Sequence, residues 1–251
     1  KHIHSDGKKL IHCDVKPRNI VRFGKHWKLI DLDAAKKVGS RITNSNKFSS
    51  GYIPPEMARL LWTHNVKDQV QIRRNVETDL YGIAVQKVRY DQKYIVREVW
   101  PNRSNSKQRN FGDVRLSNLS DPKEEDKWFS RSDVVSISKT SNEFLADITF
   151  DTWSFGVVLF QLCSGRKLFS DLGMSDDNLQ DYLDQDQLML WNQRSLNTYL
   201  RKLKDDKFDV QDLLHQCLQP DPKQRPTMAD ILTHKFLTGE ESSGDYWQKL
   251  D

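Results

Sequence analysis

Three things are scarce in this sequence. Long apolar runs come first: with glycine counted, the longest are Leu80–Val85 and Phe155–Phe160, far short of the ~18 residues a membrane-spanning helix needs. No signal-peptide pattern stands at the N-terminus. Cysteine is the second. Cys13, Cys163 and Cys217 are far apart and odd in number, which argues against a disulfide framework or a zinc cluster and points to a reducing, intracellular setting. Apolar residues are the third, at 37% of the 251 residues. Even the 11 glycines do not lift that to the roughly 45–50% of ordinary domains. Charged residues reach 29%, so one stretch is expected to be solvated loop. With 39 basic and 35 acidic residues closely interspersed, the net charge is only +4. That balance excludes a supercharged nucleic-acid tail and gives little ground for a membrane-surface role.

Along the chain, Lys1–Ser5 before Asp6-Gly7 reads as a helix end. Ile20–Phe23 and Trp27–Ile30 read as two short strands around a glycine turn, and Asp31–Ser50 as loop. Pro54-Pro55 blocks a helix until Glu56. Ile83–Tyr90 and Tyr94–Trp100 resemble a hairpin, whereas Asn102–Asn142, rich in Ser, Asn, Asp, Lys and Arg, reads as extended loop or disorder. From Phe150 onward the pattern is helical. Trp153, Val157, Leu159, Phe160 and Cys163 make a helix too apolar for a surface. Amphipathic spacing follows in Leu179, Leu183 and Leu190, in Leu196–Leu203, and in Val210–Leu218. Pro220-Asp221-Pro222 is a stop, and Thr227 starts a last helix through Phe236.

The chemistry-bearing residues cluster early. Asp14 can accept a hydrogen bond from a hydroxyl, while Asn19 and Asp31 offer hard oxygen ligands of the kind Mg²⁺ takes alongside substrate phosphates. Lys16 adds a point charge beside Asp14, where a transferring phosphoryl group develops negative charge. Singly, each is as ordinary as a turn with a solvated lysine. Their order and spacing decide the reading.

His12-Cys13-Asp14-Val15-Lys16-Pro17-Arg18-Asn19 resembles the catalytic loop of the eukaryotic-type protein kinases. Asp31-Leu32-Asp33 stands where that family has its metal-binding Asp-Phe-Gly, and Pro54-Pro55-Glu56 where it has Ala-Pro-Glu. Asp151-x-Trp153-Ser154-Phe155-Gly156 resembles the start of the family's buried central helix, and Pro222–Thr227 its arginine motif. The resemblance implies that Asp14 orients the substrate hydroxyl and takes its proton, and that Asn19 and Asp31 hold the metal ions on the phosphates. Lys16 resembles the serine/threonine kinases, and Ser49, three before Tyr52 in the activation segment, falls where they place a threonine bonded to the catalytic Asp and Lys. His12, Glu56, Asp151 and Arg225 take structural roles: Glu56 and Arg225 as an ion pair, Asp151 as acceptor for catalytic-loop N–H groups.

The departures are specific. Cys13 replaces the arginine that pairs with a phosphorylated activation loop, so switching by that charge pair is not expected from Ser40, Thr43 or Ser45; the thiol itself reads as inert filler. Asp33 replaces a glycine, adding a carboxylate near the metal. No glycine-rich loop, strand lysine or partner glutamate precedes Asp14 within these residues, and the chain opens at Lys1, so it is read as a fragment without the N-terminal lobe and without tight ATP–Mg²⁺ binding of its own. Glu56 and Asp151 are 95 positions apart, where the family has a short connection. Residues about 62–148 are read as an insertion: a surface excursion with a satellite core, or a partner surface anchored by Trp100, Phe111, Trp128 and Phe129.

The expected fold is therefore mainly α within an α+β class. It is a partial kinase domain over 1–251, a C-terminal helical lobe with a short β-hairpin at the catalytic loop and a partly β or disordered insertion. The expected function is transfer of phosphate from ATP, with Mg²⁺, to serine or threonine hydroxyls of a protein substrate, exercised by the intact parent chain. A pseudokinase or scaffold, recruiting partners through the insertion, is the rival. A small-molecule phosphotransferase is disfavoured by Pro54-Pro55-Glu56 and Arg225. No nucleic acid and no membrane span are expected; the setting is intracellular, cytoplasmic by default with the nucleus left open.

Overall fold

The most apolar stretch of the sequence builds the longest helix among the described residues, Thr149–Ser164. Phe150, Trp153, Val157, Val158, Leu159 and Phe160 are all buried on it, as expected of a helix with little polar face. Gly165 ends it in the left-handed conformation (φ 69°), its N–H bonded to the Gln161 carbonyl. The computed structural model describes residues 4, 9–42, 47–63, 69–72, 92–99, 113–121, 123, 125–138, 144–169, 174–175, 177–179, 182–203 and 208–239. No helix among them is long and apolar enough to cross a membrane. The chain divides into two units, one of residues 1–58 and 144–251, the other of residues 59–143. The fold is mixed α+β.

In the first unit, Thr149–Ser164 packs on Phe208–Cys217, which also meets Gln193–Leu200. The approach is close enough to need glycine: a Cβ on Gly156 would lie 2.9 Å from both Cys217 Cβ and Leu218 Cδ2. Trp153 and Phe169 meet Trp191 edge-on at 5.5 and 5.6 Å, and Trp191 Nε1 donates to the Leu218 carbonyl at 2.9 Å. The hairpin Ile20–Phe23/His26–Leu29 turns at Gly24, and Leu10–Ile11 pairs with Lys36–Lys37.

Several local expectations change here. The helix starts at Pro55, one residue earlier than expected, because proline at the first helical position loses no needed N–H. The loop expected over Asp31–Ser50 contains short bridges at Lys36–Lys37 and Arg41–Ile42. Leu179 belongs to the hairpin Met174–Ser175/Asn178–Leu179, and Leu183 is exposed. In the helix Tyr182–Met189, Leu188 and Met189 are the buried apolar residues. The last helix divides into Met228–Leu232 and Lys235–Thr238, the first capped by reciprocal Thr227–Asp230 bonds. The expected helix end at Lys1–Ser5 lies outside the described residues except for His4.

The second unit is a five-stranded antiparallel sheet. Gln69–Ile72, Tyr94–Val99, Val114–Asn118 and Lys127–Phe129 follow one another as a meander. A 3-10 turn over Arg131–Asp133 then returns Val134–Ser138 to pair with the first strand. Val134 faces Ile72 and Ser138 faces Gln69. All five strands feed one core of Val70, Ile72, Tyr94, Val96, Val114, Leu116, Phe129 and Val134. Only residues 130–133 join the two edge strands, a link too short to cross a flat five-stranded sheet, so the meander curls towards closure. This corrects the loop or disorder expected over Asn102–Asn142 where it is described, at Val114–Asn118, Lys127–Phe129 and Val134–Ser138; residues 102–112 and 139–142 lie outside the described residues. These strands are short and their inward positions few, so polar composition masked the alternation. Ile83–Tyr90 lies outside the described residues, and Tyr94–Val99 pairs with Gln69–Ile72 and Val114–Asn118. Trp128 and Phe129 are buried, so neither is an exposed anchor. Trp100 and Phe111 lie outside the described residues.

Candidate active site

A buried carboxylate sets the loop that carries Asp14. Asp151, on the first turn of Thr149–Ser164, accepts the His12 N–H (2.8 Å) and the Cys13 N–H (3.0 Å), and His4 Nε2 lies 2.7 Å from it. Cys13 takes φ 63°, a region that costs a non-glycine residue energy. Two backbone N–H groups held by one buried acceptor maintain that turn. His12 extends the arrangement. Its Nδ1 accepts the Asp14 N–H at 3.3 Å and its Nε2 donates to the Ile30 carbonyl at 3.0 Å, both met by the tautomer protonated at Nε2. The Ile30 N–H donates to the Asn19 carbonyl at 2.9 Å. The peptide units just before Asp31 are thus tied to both His12 and Asn19.

Asp14, Lys16 and Ser49 then meet. Lys16 Nζ lies 2.9 Å from Asp14 Oδ2 and donates to Ser49 Oγ at 2.7 Å, while the Ser49 N–H donates to Asp14 Oδ1 at 3.2 Å. Asn19 Nδ2 donates to the Asp14 carbonyl (2.9 Å) and to its Oδ2 (3.2 Å), which leaves the amide oxygen of Asn19 for another partner. Asp31 is exposed, with φ 66°, and accepts the Asp33 N–H at 3.5 Å. Asp14, Lys16, Asp31, Asp33 and Ser49 line one cavity of about 280 Å³, together with Arg18, Lys47, Asp177 and Asn178.

The segment after the cavity is anchored just as firmly. Glu56 and Arg225 form a fork at 2.7 and 2.9 Å, with the Arg225 side chain fully buried, its Nε on the Gln219 carbonyl and its guanidinium 5.0 Å over the Trp153 ring. Ser154 Oγ donates to the Tyr52 carbonyl (2.8 Å), and the Tyr52 hydroxyl donates to Gln161 Oε1 (3.1 Å). Burial and nearby Asp177 push the Tyr52 phenol up to about 12. Burial, with Asp151 beside it, likewise pushes the Cys13 thiol up to about 12, so it is neither a ready nucleophile nor a charge carrier.

All ten residues singled out in the sequence are placed. His12, Asp14, Lys16, Asn19, Ser49 and Asp31 gather at or beside the cavity; Tyr52, Glu56, Asp151 and Arg225 form the frame behind it. The sequence reading missed Asp177 and Asn178. The Asp176-Asp177-Asn178 run is a turn signal, but nothing local says that this turn reaches the cavity.

No group of three or more His, Cys, Asp or Glu side chains forms a metal cage among the described residues. The donor set nevertheless suits one cation. Mg²⁺ keeps several waters and takes one or two carboxylates beside substrate phosphates, and Asp31 and the Asn19 amide oxygen supply that much.

The sequence model of the protein kinase domain family matches residues 127–237, which include Asp151 and Arg225. A human TBC domain-containing protein kinase-like protein is 34% identical over 93 residues, covering 35% of this chain and 10% of that protein. A calcium/calmodulin-dependent protein kinase of Emericella nidulans is 32% identical over 93 residues, 37% of this chain and 20% of that protein. A mitogen-activated protein kinase kinase kinase of Physcomitrium patens is 28% identical over 189 residues, 71% of this chain and 22% of that protein. Over these residues the chain is similar to the eukaryotic-type protein kinase family. Its matches span between a tenth and about a fifth of the length of these relatives.

Proposed function

We propose that the protein carrying this chain transfers the γ-phosphoryl group of ATP to serine or threonine hydroxyls of a protein substrate. Residues 1–251 supply the C-terminal lobe, with an insertion at about 62–148. The observation that carries this reading is the Asp14–Lys16–Ser49 triangle, with Asn19 bonded to Asp14. Asp14 accepts a hydrogen bond from the acceptor hydroxyl and takes its proton; Lys16 places a positive charge beside the forming bond. Ser49 fixes both through one hydroxyl and one N–H. Asn19 and Asp31 would hold Mg²⁺, and the Mg²⁺–ATP complex supplies the phosphoryl group and the charge that neutralises it. Such catalysis is positioning and electrostatics, which suits a loop tied down by Asp151 and His12.

In the full-length protein, Asp14→Asn should lower phosphate transfer from ATP to casein by about 10²–10⁴-fold, with phosphoserine and phosphothreonine as products. Transfer that survives Asp14→Asn, or phosphotyrosine as the only product, would overturn the assignment. Asp31→Ala should remove the thermal stabilisation given by Mg²⁺–ATP; a shift that persists sinks the metal assignment.

One observation favours a scaffold as the second reading. Asp33, in place of glycine, adds a further carboxylate to the cavity and directs its own N–H to Asp31. A full-length protein with neither transfer nor a nucleotide-dependent thermal shift would establish that reading instead.

A further inference from the structure

The turn at Asp177-Asn178 touches both halves of the candidate site. Asn178 Oδ1 accepts the Ser50 N–H at 3.0 Å, and Ser50 Oγ accepts the Leu179 N–H at 2.8 Å, a reciprocal pair. The Asp177 carbonyl accepts the Gly51 N–H at 3.0 Å. The Asp177 carboxylate lies 3.5 Å from Arg18 Nε, on the loop that carries Asp14 and Asn19. Residues 49–51 are thus held from two sides, by Asp14 and Lys16 through Ser49, and by the turn through Ser50 and Gly51.

We propose that Asn178 is a positioning residue that fixes Ser50 and Gly51, so that Ser49 keeps Lys16 and Asp14 in register with no phosphate on the activation segment. The inference rests on the phosphotransfer reading for its consequence, but not for its geometry. Ordering a segment by phosphate requires a cation to receive the charge. Position 13 holds a buried, uncharged cysteine instead. The turn supplies by backbone hydrogen bonds what a charge pair would otherwise supply. Two of its three bonds go to the main-chain N–H groups of Ser50 and Gly51 and set where the segment runs, and the third goes to the Ser50 hydroxyl.

Two readouts on the full-length protein separate this inference from the phosphotransfer reading. Asn178→Leu removes the acceptor at similar volume; Asn178→Asp keeps an oxygen facing the Ser50 N–H. Hydrogen exchange at residues 49–52 should speed by about tenfold in Asn178→Leu, the scale of one net hydrogen bond, and return towards the parent value in Asn178→Asp. In transfer assays, Asn178→Leu should lower kcat by about tenfold, leave the KM for ATP within about twofold, and be rescued by Asn178→Asp. Phosphatase treatment of the parent protein should leave exchange and rate unchanged. Unaltered exchange in Asn178→Leu, or protection lost on phosphatase treatment, overturns the proposal. If Asn178→Leu also loses protection across Thr149–Ser164, Ser50→Ala replaces it. That variant removes the acceptor for the Leu179 N–H and should speed exchange at residues 178–180 and 49–52; failure to do so counts against the clasp. A parent protein with no transfer, in which the exchange arm behaves as stated, refutes the phosphotransfer reading and leaves the anchoring role standing.

Discussion

The two units are held together in different ways. In the unit of residues 1–58 and 144–251, polar bonds between distant residues fix the layout: Asp151 with His12, Ser154 with Tyr52, Arg225 with Glu56. In the unit of residues 59–143, an apolar cluster drawn from five successive strands does most of that work. Charge divides the same way. Residues 59–143 hold sixteen basic and twelve acidic side chains, which accounts for the whole net +4, while the remainder is balanced at 23 of each. An apolar core tolerates substitution as long as volume and pattern are kept. A buried polar network tolerates little, because each lost partner leaves a desolvated group behind. Chemistry needs the second kind of order, and the candidate site is built where that order is found.

The strongest way to break this comparison is a charge in the sheet. Val96→Asp places a carboxylate in the apolar cluster and should cost more than 4 kcal/mol, enough to unfold the strands. Hydrogen exchange should show protection lost together in residues 69–72, 94–99, 114–118 and 134–138, while Thr149–Ser164 keeps its own. Loss in both units would show that they fold as one. Next comes Glu56→Ala, which strands the buried Arg225 guanidinium and should cost about 3 kcal/mol, read as a lower urea midpoint for the helical unit with the strands unaffected. Gly156→Ala opposes two effects. Alanine favours the helix by about 1 kcal/mol, but a Cβ at 2.9 Å from Cys217 and Leu218 costs about 1–3 kcal/mol. A net destabilisation of about 1 kcal/mol is expected, and a rise in Tm would mean that the two helices can part cheaply.

The smallest effect concerns His215, whose pKa burial pulls below its ordinary value. The unfolded chain then binds a proton that the folded chain resists. The resulting stability is present above pH ~6.5 and falls away as pH drops through the folded value. A urea series from pH 7.5 to 5.5 should show the helical unit losing stability on acidification, with part of that slope gone in His215→Gln. An identical slope in the two proteins would contradict the assignment.

Much of the first unit was legible in the sequence because its signals are local. The run from Phe150 to Phe160 can only be buried, Thr227 with Asp230 three residues on caps a helix start, and Pro222–Thr227 carries its own turn. The ten candidate residues could be picked out by order and spacing, and the family resemblance implied three of their meetings: Ser49 with Asp14 and Lys16, Glu56 with Arg225, and Asp151 with the catalytic-loop N–H groups. The second unit was legible only in part. A partly β insertion with a satellite core was one of the expected alternatives, and a strand was expected at Tyr94–Trp100. The strands at Val114–Asn118, Lys127–Phe129 and Val134–Ser138 were not expected. The strands of this unit are three to six residues long, and the decisive pairing, Gln69 with Ser138, joins positions nearly seventy apart. Short alternation in a polar stretch is indistinguishable from loop until a partner strand covers one face.

By itself, the sequence determined the kinase-like motifs, their order and the buried central helix, since each is written in neighbouring residues. Only the tertiary structure decided that polar residues 113–138 form strands around an apolar core, and that the Asp177-Asn178 turn closes on Ser50. Both depend on hydrogen bonds between segments far apart in the chain, and a local pattern does not specify its distant partner.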